Sequence, residues 1–421
     1  MGRDLPLNVL FVSPYAPTRI RTRGYHFIRA LAAAGHRVTV ATVWTSDDER
    51  DAIETLREQG IAVVAQPLPI FRSAWNCLKA IPSGEPLQAH FSWVPALAAA
   101  VRQFIATEPV DVVHVEHLRG VRYGLVASTA RGVDGQVRPI VWDSVDCIST
   151  LFQRTARQSE SRRSRLIASL EVPRTIRYEG AAVRTFGRTV VTSETDRREL
   201  QEVATTPPAP QADMPIVVVP NGVDLAYFAA TREARQPRSI VVTGKMSYHA
   251  NATAVVRFTE DVMPAVWSRL PDARLSIVGK DPPDDVRRLT SLPAALGLGG
   301  ESRVTVTGTV PDLRPYLLQA SVAVAPIQYG AGIQNKVLEA MASGTPVVGT
   351  PQAMAGIAAR DGEHVRVGSN PAELADAIVR VLTAPGEAAA LGRAGRQLVE
   401  AEYSWTTMAA RLVDVYHDAR R

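Results

Sequence analysis

Short, almost wholly apolar runs alternate along the chain with longer stretches in which apolar residues recur every three or four positions. Asn8–Ser13 (NVLFVS), Arg37–Val43 (RVTVATV), Ile61–Val64, Val110–Val115 (VDVVHV), Ile140–Trp142 and Arg188–Thr192 (RTVVT) read as short strands. Tyr25–Ala34, Val94–Ile105 and an arginine-rich region after Asp146 read as helices between them. Strands that are apolar at successive positions are those covered on both faces, as in a parallel sheet with helices packed on either side. After Ile216–Val219 and the sharp turn Pro220–Asp224 the alternation begins again. Ser239–Gly244 (SIVVTG), a helix over about 252–270, Arg274–Val278 (RLSIV), Arg303–Gly308 (RVTVTG), a helix to Gln319 and Val322–Pro326 (VAVAP) follow in turn. The pattern predicts two open parallel α/β domains, with a cleft between them as the expected ligand site.

The length of 421 residues agrees with two cores. The proline-rich stretch Ala204–Met214 sets the expected division at 1–214 and 215–402, with a terminal amphipathic helix, 403–421, packing back on the first domain. Helix signals dominate after Val367, over Pro371–Thr383 and Gly386–Glu400. No long charge-free span interrupts the chain, and the opening MGRDLPLNVLFVSPY lacks the basic, apolar and cleavage regions of a signal peptide. Two cysteines, Cys77 and Cys147, make neither a disulfide framework nor a ligand cluster. The cytoplasm is the expected compartment.

A formal charge of +5 suits anionic partners without naming one. The excess is concentrated in Arg154, Arg157, Arg162, Arg163, Arg165, Arg174 and Arg177. That region suits peripheral contact with an inner membrane surface or a lipid phosphate; a solvated helix face is the alternative. No nucleic-acid recognition module accompanies the charge, so nucleic acid is not expected as a partner.

Candidate chemistry gathers in Pro326–Pro351. Gly330 and Gly332 allow a turn whose backbone N–H groups approach an anion closely. The helix Gln334–Ser343 follows, ended by Gly344, and carries Lys336 and Glu339 three residues apart on one face. That face offers a cation to phosphate and a carboxylate to sugar hydroxyls, or a plain surface ion pair. Polar residues also cluster at the strand exits, where α/β sheets bind ligands: Glu116, His117 and Arg119 after one strand, Asp143, Ser144 and Asp146 after the next. Arg19, Arg21 and Arg23 lie in the loop after the first strand, either to clamp an anionic acceptor or simply to solvate that loop; Asp143 is a further acceptor-side candidate, with capping of the next helix as its alternative. The loop lacks a Gly-x-Gly-x-x-Gly fingerprint, which argues against a nicotinamide or flavin cofactor.

Pro220–Asn221–Gly222–Val223–Asp224, the strand exit Thr243–Gly244–Lys245 and the stretch GIQNKVLEAMASGTPVV from Gly332 resemble glycosyltransferase family 4. The opening strand, Gly24 and Gly35–Val40 fit the same family. TGKMSYHAN, PDARLSIVG and VTGTVPDLRPYL further resemble the exopolysaccharide-associated sugar transferases of exosortase systems. The resemblance implies a GT-B fold, with 1–214 binding acceptor and 215–402 binding a nucleotide-diphosphate sugar, and transfer with retention to a glycan, lipid-linked or small-molecule acceptor. No further cofactor is implied, and no Asp-x-Asp motif suggests a metal.

Residue by residue, the resemblance places Gly24, Gly244, Lys245, Gly332, Ile333, Lys336 and Glu339 at the donor. Glu339 matches the second acid of the family's Glu-x7-Glu motif, at the ribose; the first acid falls at Ala331 and is missing. Lys245 matches a basic residue at the diphosphate. A second family lysine is replaced near Ala250–Asn251, and Lys336 is the candidate substitute. The family histidine aligns between His114, Glu116 and His117, with His117 taken as the catalytic candidate beside Lys245 and Lys336. A nucleotide-sugar epimerase or hydrolase of the same fold, and a non-catalytic nucleotide-sugar-binding subunit, are the competing readings.

Overall fold

The computed structural model describes residues 5–158, 162–205, 216–230, 235–298, 303–328 and 333–421. It divides into two units, Met1–Pro220 with Met408–Arg421, and Asn221–Thr407. The expected proline-rich boundary, 206–215, lies outside the described residues. The division falls at Pro220 rather than at 214 because the strand after that stretch pairs with the first unit.

The first unit is built on seven strands: β1 (Asn8–Ser13), β2 (Arg37–Trp44), β3 (Ala62–Pro67), β4 (Val112–Glu116), β5 (Ile140–Val145), β6 (Arg188–Val191) and β7 (Ile216–Val218). They pair in the order β3-β2-β1-β4-β5-β6-β7, all parallel. The sheet grows outward from β1 in one direction and then, from β4, in the other. The β1/β4 boundary is therefore its topological switch point, where open α/β sheets leave a crevice. Phe11, Val12, Val113, Val115 and Trp142 are fully buried, which explains the absence of a polar alternation in their runs.

The second unit repeats the plan with six strands: β8 (Ser239–Thr243), β9 (Arg274–Val278), β10 (Val304–Val306), β11 (Val322–Ala325), β12 (Val347–Gly349) and β13 (Arg366–Val367). Their order is β10-β9-β8-β11-β12-β13, again parallel, with the switch point at β8/β11. One apolar cluster contains Phe258, Met263, Trp267 and Ile378, and a second contains Val337, Leu338 and Met341.

Local chemistry sets several elements. Ser46 accepts from Glu49 N and Glu49 accepts from Thr45 N, fixing the start of the helix Asp47–Glu58. The expected single helix over 252–270 is interrupted: His249–Arg257 and Met263–Arg269 are α-helical, with a π-helical turn, Phe258–Val262, between them. Pro264 has no N–H to give to the preceding turn and its ring crowds the carbonyl four residues back, so the ladder widens before it. The arginine-rich region forms two helices, Ile148–Gln158 and Arg162–Thr185.

The helix Trp405–Ala419 begins in the second unit and continues into the first. There the Tyr416 hydroxyl lies 3.0 Å from His114 Nδ1 on β4.

Candidate functional site

In the second unit the candidate residues meet at the switch point. β8 ends at Thr243, and Gly244 turns the chain out of it with a φ of +156°. Gly244 N donates to Val278 O at 3.1 Å and Met246 N to Lys280 O at 2.9 Å, so the exits of β8 and β9 run together. The contact is close enough that a Cβ on Gly279 would stand 1.6 Å from the Gly244 carbonyl oxygen. Asn251, nearly buried in the next helix, donates from Nδ2 to Lys245 O at 2.9 Å. Its Oδ1 accepts from Lys336 Nζ at 2.6 Å.

Lys336 belongs to the short helix Asn335–Ala342, which Val337, Leu338 and Met341 anchor in the core. Gly344, with a φ of +64°, ends it as a left-handed C′ residue. Burial pushes the Lys336 ammonium down to about 8 against the opposing field of Glu339. The same burial pushes Glu339 up to about 7, opposed by Lys336. The ammonium thus lies against Asn251, at the start of the helix His249–Arg257. Asn251 itself escaped the sequence reading as a functional residue. Lys245 is exposed and Ile333 buried, while Gly332 lies outside the described residues.

In the first unit the switch point carries an acid. Ser13 Oγ, at the end of β1, lies 2.7 Å from Glu116 Oε2 at the end of β4. Gly24, in the first turn of the helix Thr22–Ala33, backs onto the same carboxyl: a Cβ there would come 2.7 Å from Oε2. Enclosed in this way, Glu116 is pushed up to about 7 by burial. His117 follows with a φ of +62°, and Val145, at the end of the neighbouring strand β5, has +67°. Left-handed backbone at a histidine and at a β-branched residue is strained, and both residues stand at strand exits, where open α/β sheets bind ligands. His117 Nδ1 accepts from Arg119 N at 3.2 Å, which assigns the ring proton of the neutral imidazole to Nε2. Burial, helped by the Arg119 charge, holds this imidazole well below its ordinary pKa.

The three loop arginines do not form one clamp. Arg19 is exposed, and Arg21 pairs with Glu49 at 2.9 Å while lying over the Tyr15 ring. Arg23 is buried, with Nε 2.7 Å from Asp143 Oδ2 and Nη1 3.3 Å from Pro220 O. Asp143 is fully buried too, and its other oxygen accepts from Val145 N at 3.1 Å. The expectation that Arg23 and Asp143 face an acceptor is therefore corrected: they brace the interior. Nor does Asp143 cap the helix Ile148–Gln158, whose first N–H groups are met by the buried Glu179.

Two family profiles match the chain in succession, "Glycosyltransferase Family 4" over residues 21–227 and "Glycosyl transferases group 1" over 237–384. The chain belongs to glycosyltransferase family 4. It is 32% identical over 209 residues to the MMP alpha-(1->4)-mannosyltransferase of Mycolicibacterium hassiacum, a match covering 48% of each protein. It is 31% identical over 211 residues to the phosphatidyl-myo-inositol mannosyltransferase of Mycobacterium tuberculosis, covering 48% of this chain and 53% of that one. These matches span about half the length of each relative.

Among solved structures, the sucrose-phosphate synthase of Thermosynechococcus elongatus superposes with a TM-score of 0.63 at 19% identity, covering 98% of each chain. TarM gives 0.67 at 10% identity, covering 99% of this chain and 100% of its own. Anabaena Alr3699/HepE in complex with UDP gives 0.63 at 14%, covering 97% of this chain and 99% of its own. The two parallel-sheet units are those of the GT-B fold.

Proposed function

We propose that this protein is a retaining glycosyltransferase that moves a sugar from a nucleoside-diphosphate donor to a hydroxyl acceptor. The observation that carries the reading is the Lys336–Asn251 contact at the β8/β11 switch point, beside Gly244 and Lys245. It supports a preformed cationic seat for a diphosphate. When the bond from the anomeric carbon to the diphosphate breaks, negative charge grows on the departing oxygen, and Lys336 and Lys245 stabilise it. The acceptor oxygen bonds to the anomeric carbon on the same face and its proton passes to the leaving phosphate. Glu339 holds the ribose hydroxyls, and His117, in the first unit, is the proposed catalytic hydrogen-bond donor through its Nε2–H. Gly24, lacking a side chain, lets the first turn of its helix pack directly on the Glu116 carboxyl.

Relatives named as mannosyltransferases, and the HepE complex with UDP and glucose, support a hexose donor. The product belongs in exopolysaccharide, glycolipid or other glycoconjugate synthesis. The cytoplasmic face of the inner membrane is the proposed location, with the Arg154–Arg177 region in contact with lipid.

Thermal stabilisation by UDP, GDP, dTDP and ADP tests the donor site, because a ligand bound by the folded state alone raises its melting temperature. A selective shift that is lost in Lys336→Ala and Glu339→Ala is the expected result. No shift from any nucleotide would overturn the donor assignment. Donor binding without turnover on any acceptor would turn the reading toward a non-catalytic subunit, in which the missing acid at Ala331 is decisive.

A further inference from the structure

The helix Ile70–Ala80 (IFRSAWNCLKA) is packed inside out. Its inward side consists of small and polar residues: Ser73 and Ala80 are buried, Asn76 Nδ2 donates to Trp93 O at 2.8 Å, and the half-buried Cys77 approaches Leu87 O. Its large apolar residues face outward. Phe71 is 76% exposed, Trp75 55% and Leu78 57%, at the i, i+4, i+7 spacing of one helical face, with exposed Ile70 and Ile81 beside them. A surface helix of a globular protein ordinarily turns such a stripe toward the core.

A second apolar stripe lies on a helix bonded to the segment that follows the first. The helix Arg162–Thr185 exposes Leu166, Ile167 and Leu170, Leu166 at 64% and Leu170 at 60%. Two bonds join the segments: Arg174 Nη2 donates to Ile81 O at 3.0 Å, and Leu87 N donates to Glu171 Oε2 at 2.7 Å. The C-terminal end of the first stripe, at Ile81, is thus tied to the helix that carries the second. Basic residues predominate around the two stripes, with the half-exposed Glu85 paired to His90 at the junction. Arg72 and Lys79 flank the first stripe, with Lys79 Nζ 5.0 Å from the Trp75 ring centroid, and Arg163, Arg165, Arg174 and Arg177 flank the second. The first helix has no acid, and both acids of the second, Glu171 and Glu179, are buried.

We infer that this face seats the protein on an anionic lipid bilayer, with Phe71, Trp75 and Leu78 entering the interface and the arginines and lysine meeting lipid phosphates. The inference rests on the membrane contact proposed above and not on the donor chemistry. It moves the apolar part of the contact to a helix outside Arg154–Arg177. Bulky apolar side chains bordered by basic ones, with a Trp among them, form the composition of a helix lying in a membrane interface. The basic border selects this occupant over an apolar protein partner, since positive charge gains most where phosphates are dense.

Flotation of the full-length protein with phosphatidylcholine vesicles, with and without phosphatidylglycerol, tests this. The expected result is salt-sensitive binding to the phosphatidylglycerol vesicles and little to the others. The F71S/W75S/L78S variant should lose about tenfold or more in vesicle affinity. Its melting temperature and nucleotide-induced stabilisation should be kept, showing that it is folded and that the donor site is separate. R163E/R165E should lose the preference for anionic vesicles. Failure of the native protein to float at low salt, or equal binding by the triple variant, would overturn the inference. So would a dimer that the triple variant dissolves, which would assign the face to a second copy. Donor binding without lipid binding would sink this inference alone, and lipid binding without donor binding would sink only the proposed function.

Discussion

Lys336 and Asn251 stand 85 residues apart in sequence, yet the lysine ammonium donates to the asparagine oxygen at 2.6 Å. The asparagine amide in turn holds the carbonyl of Lys245 at 2.9 Å. One side chain thus fixes both the cation from the β11–β12 connection and the loop that carries the second cation. If this seats a diphosphate, Lys336→Ala should weaken UDP or GDP binding by about 1.5–3 kcal/mol, one to two orders of magnitude in affinity. Asn251→Ala, which leaves both lysines present but unguided, should cost about 1 kcal/mol. Titration calorimetry on the two variants checks the ranking. An Asn251 variant as weak as the Lys336 variant would make the asparagine a direct ligand.

The protonation of Lys336 gives a second expectation. Burial brings its pKa down from 10.5 to about 8. A diphosphate favours the charged ammonium, and the ligand's own last ionisation, at about pH 6, is complete in this range. The Lys336 contribution should therefore be full below pH 8 and fall above it, by up to about tenfold in affinity per pH unit, until the bound-state pKa is reached. The stability of the free protein moves oppositely. Its folded lysine has the lower pKa, so the cost of burying the charge is present below pH 8 and is relieved as pH rises to 10.5. Opposite slopes in binding and in melting temperature, both absent from Lys336→Ala, are the signature to seek.

Glycines separate a contact role from a propensity role. Gly279→Ala would put a Cβ 1.6 Å from a backbone oxygen of Gly244, and no side-chain rotation relieves that. A loss above about 3 kcal/mol is expected, with displacement of the Lys245 loop and loss of nucleotide binding. Gly386→Ala, inside the helix Pro385–Glu402 with nothing within 4 Å of the new atom, should instead stabilise by about 0.5–1 kcal/mol. Denaturant unfolding of the pair checks both signs.

The contrast between these sites shows what the chain discloses in one dimension. β1 was legible to the residue, because a strand covered on both faces is an apolar run with turn residues after it. The short helix that carries Lys336 and Glu339 was legible too, because glycines bound it on both sides and apolar residues recur along one face. Partnerships across the fold were not. Nothing local joins Lys336 to Asn251, or Arg23 to Asp143 120 residues away, so Arg23 read as a free cation when it is a buried one. The helix Ile70–Ala80 escaped notice because its large apolar residues are on the outside, against the usual sense of the pattern.

The last expectation concerns the C-terminal helix. Tyr416 is buried with its hydroxyl 3.0 Å from His114 Nδ1, while the His114 ring stacks on Phe11 at 4.1 Å. Burial holds His114 down at about 4, so the ring is neutral at pH 7. Tyr416→Phe keeps the packing and removes the hydroxyl, taking from the imidazole the partner of Nδ1 while Nε2 already has no hydrogen-bond partner among the described residues. The cost should be about 1–3 kcal/mol, read as a lower melting temperature. The folded imidazole has a pKa below its unfolded value of 6.5, so its stabilising contribution is complete above pH 6.5 and is lost progressively as pH falls toward 4. His114→Gln cannot titrate and should flatten the acid limb between those values, whereas Tyr416→Phe should lower stability and keep that limb. An unchanged acid limb in His114→Gln would assign the acid sensitivity to groups other than this imidazole.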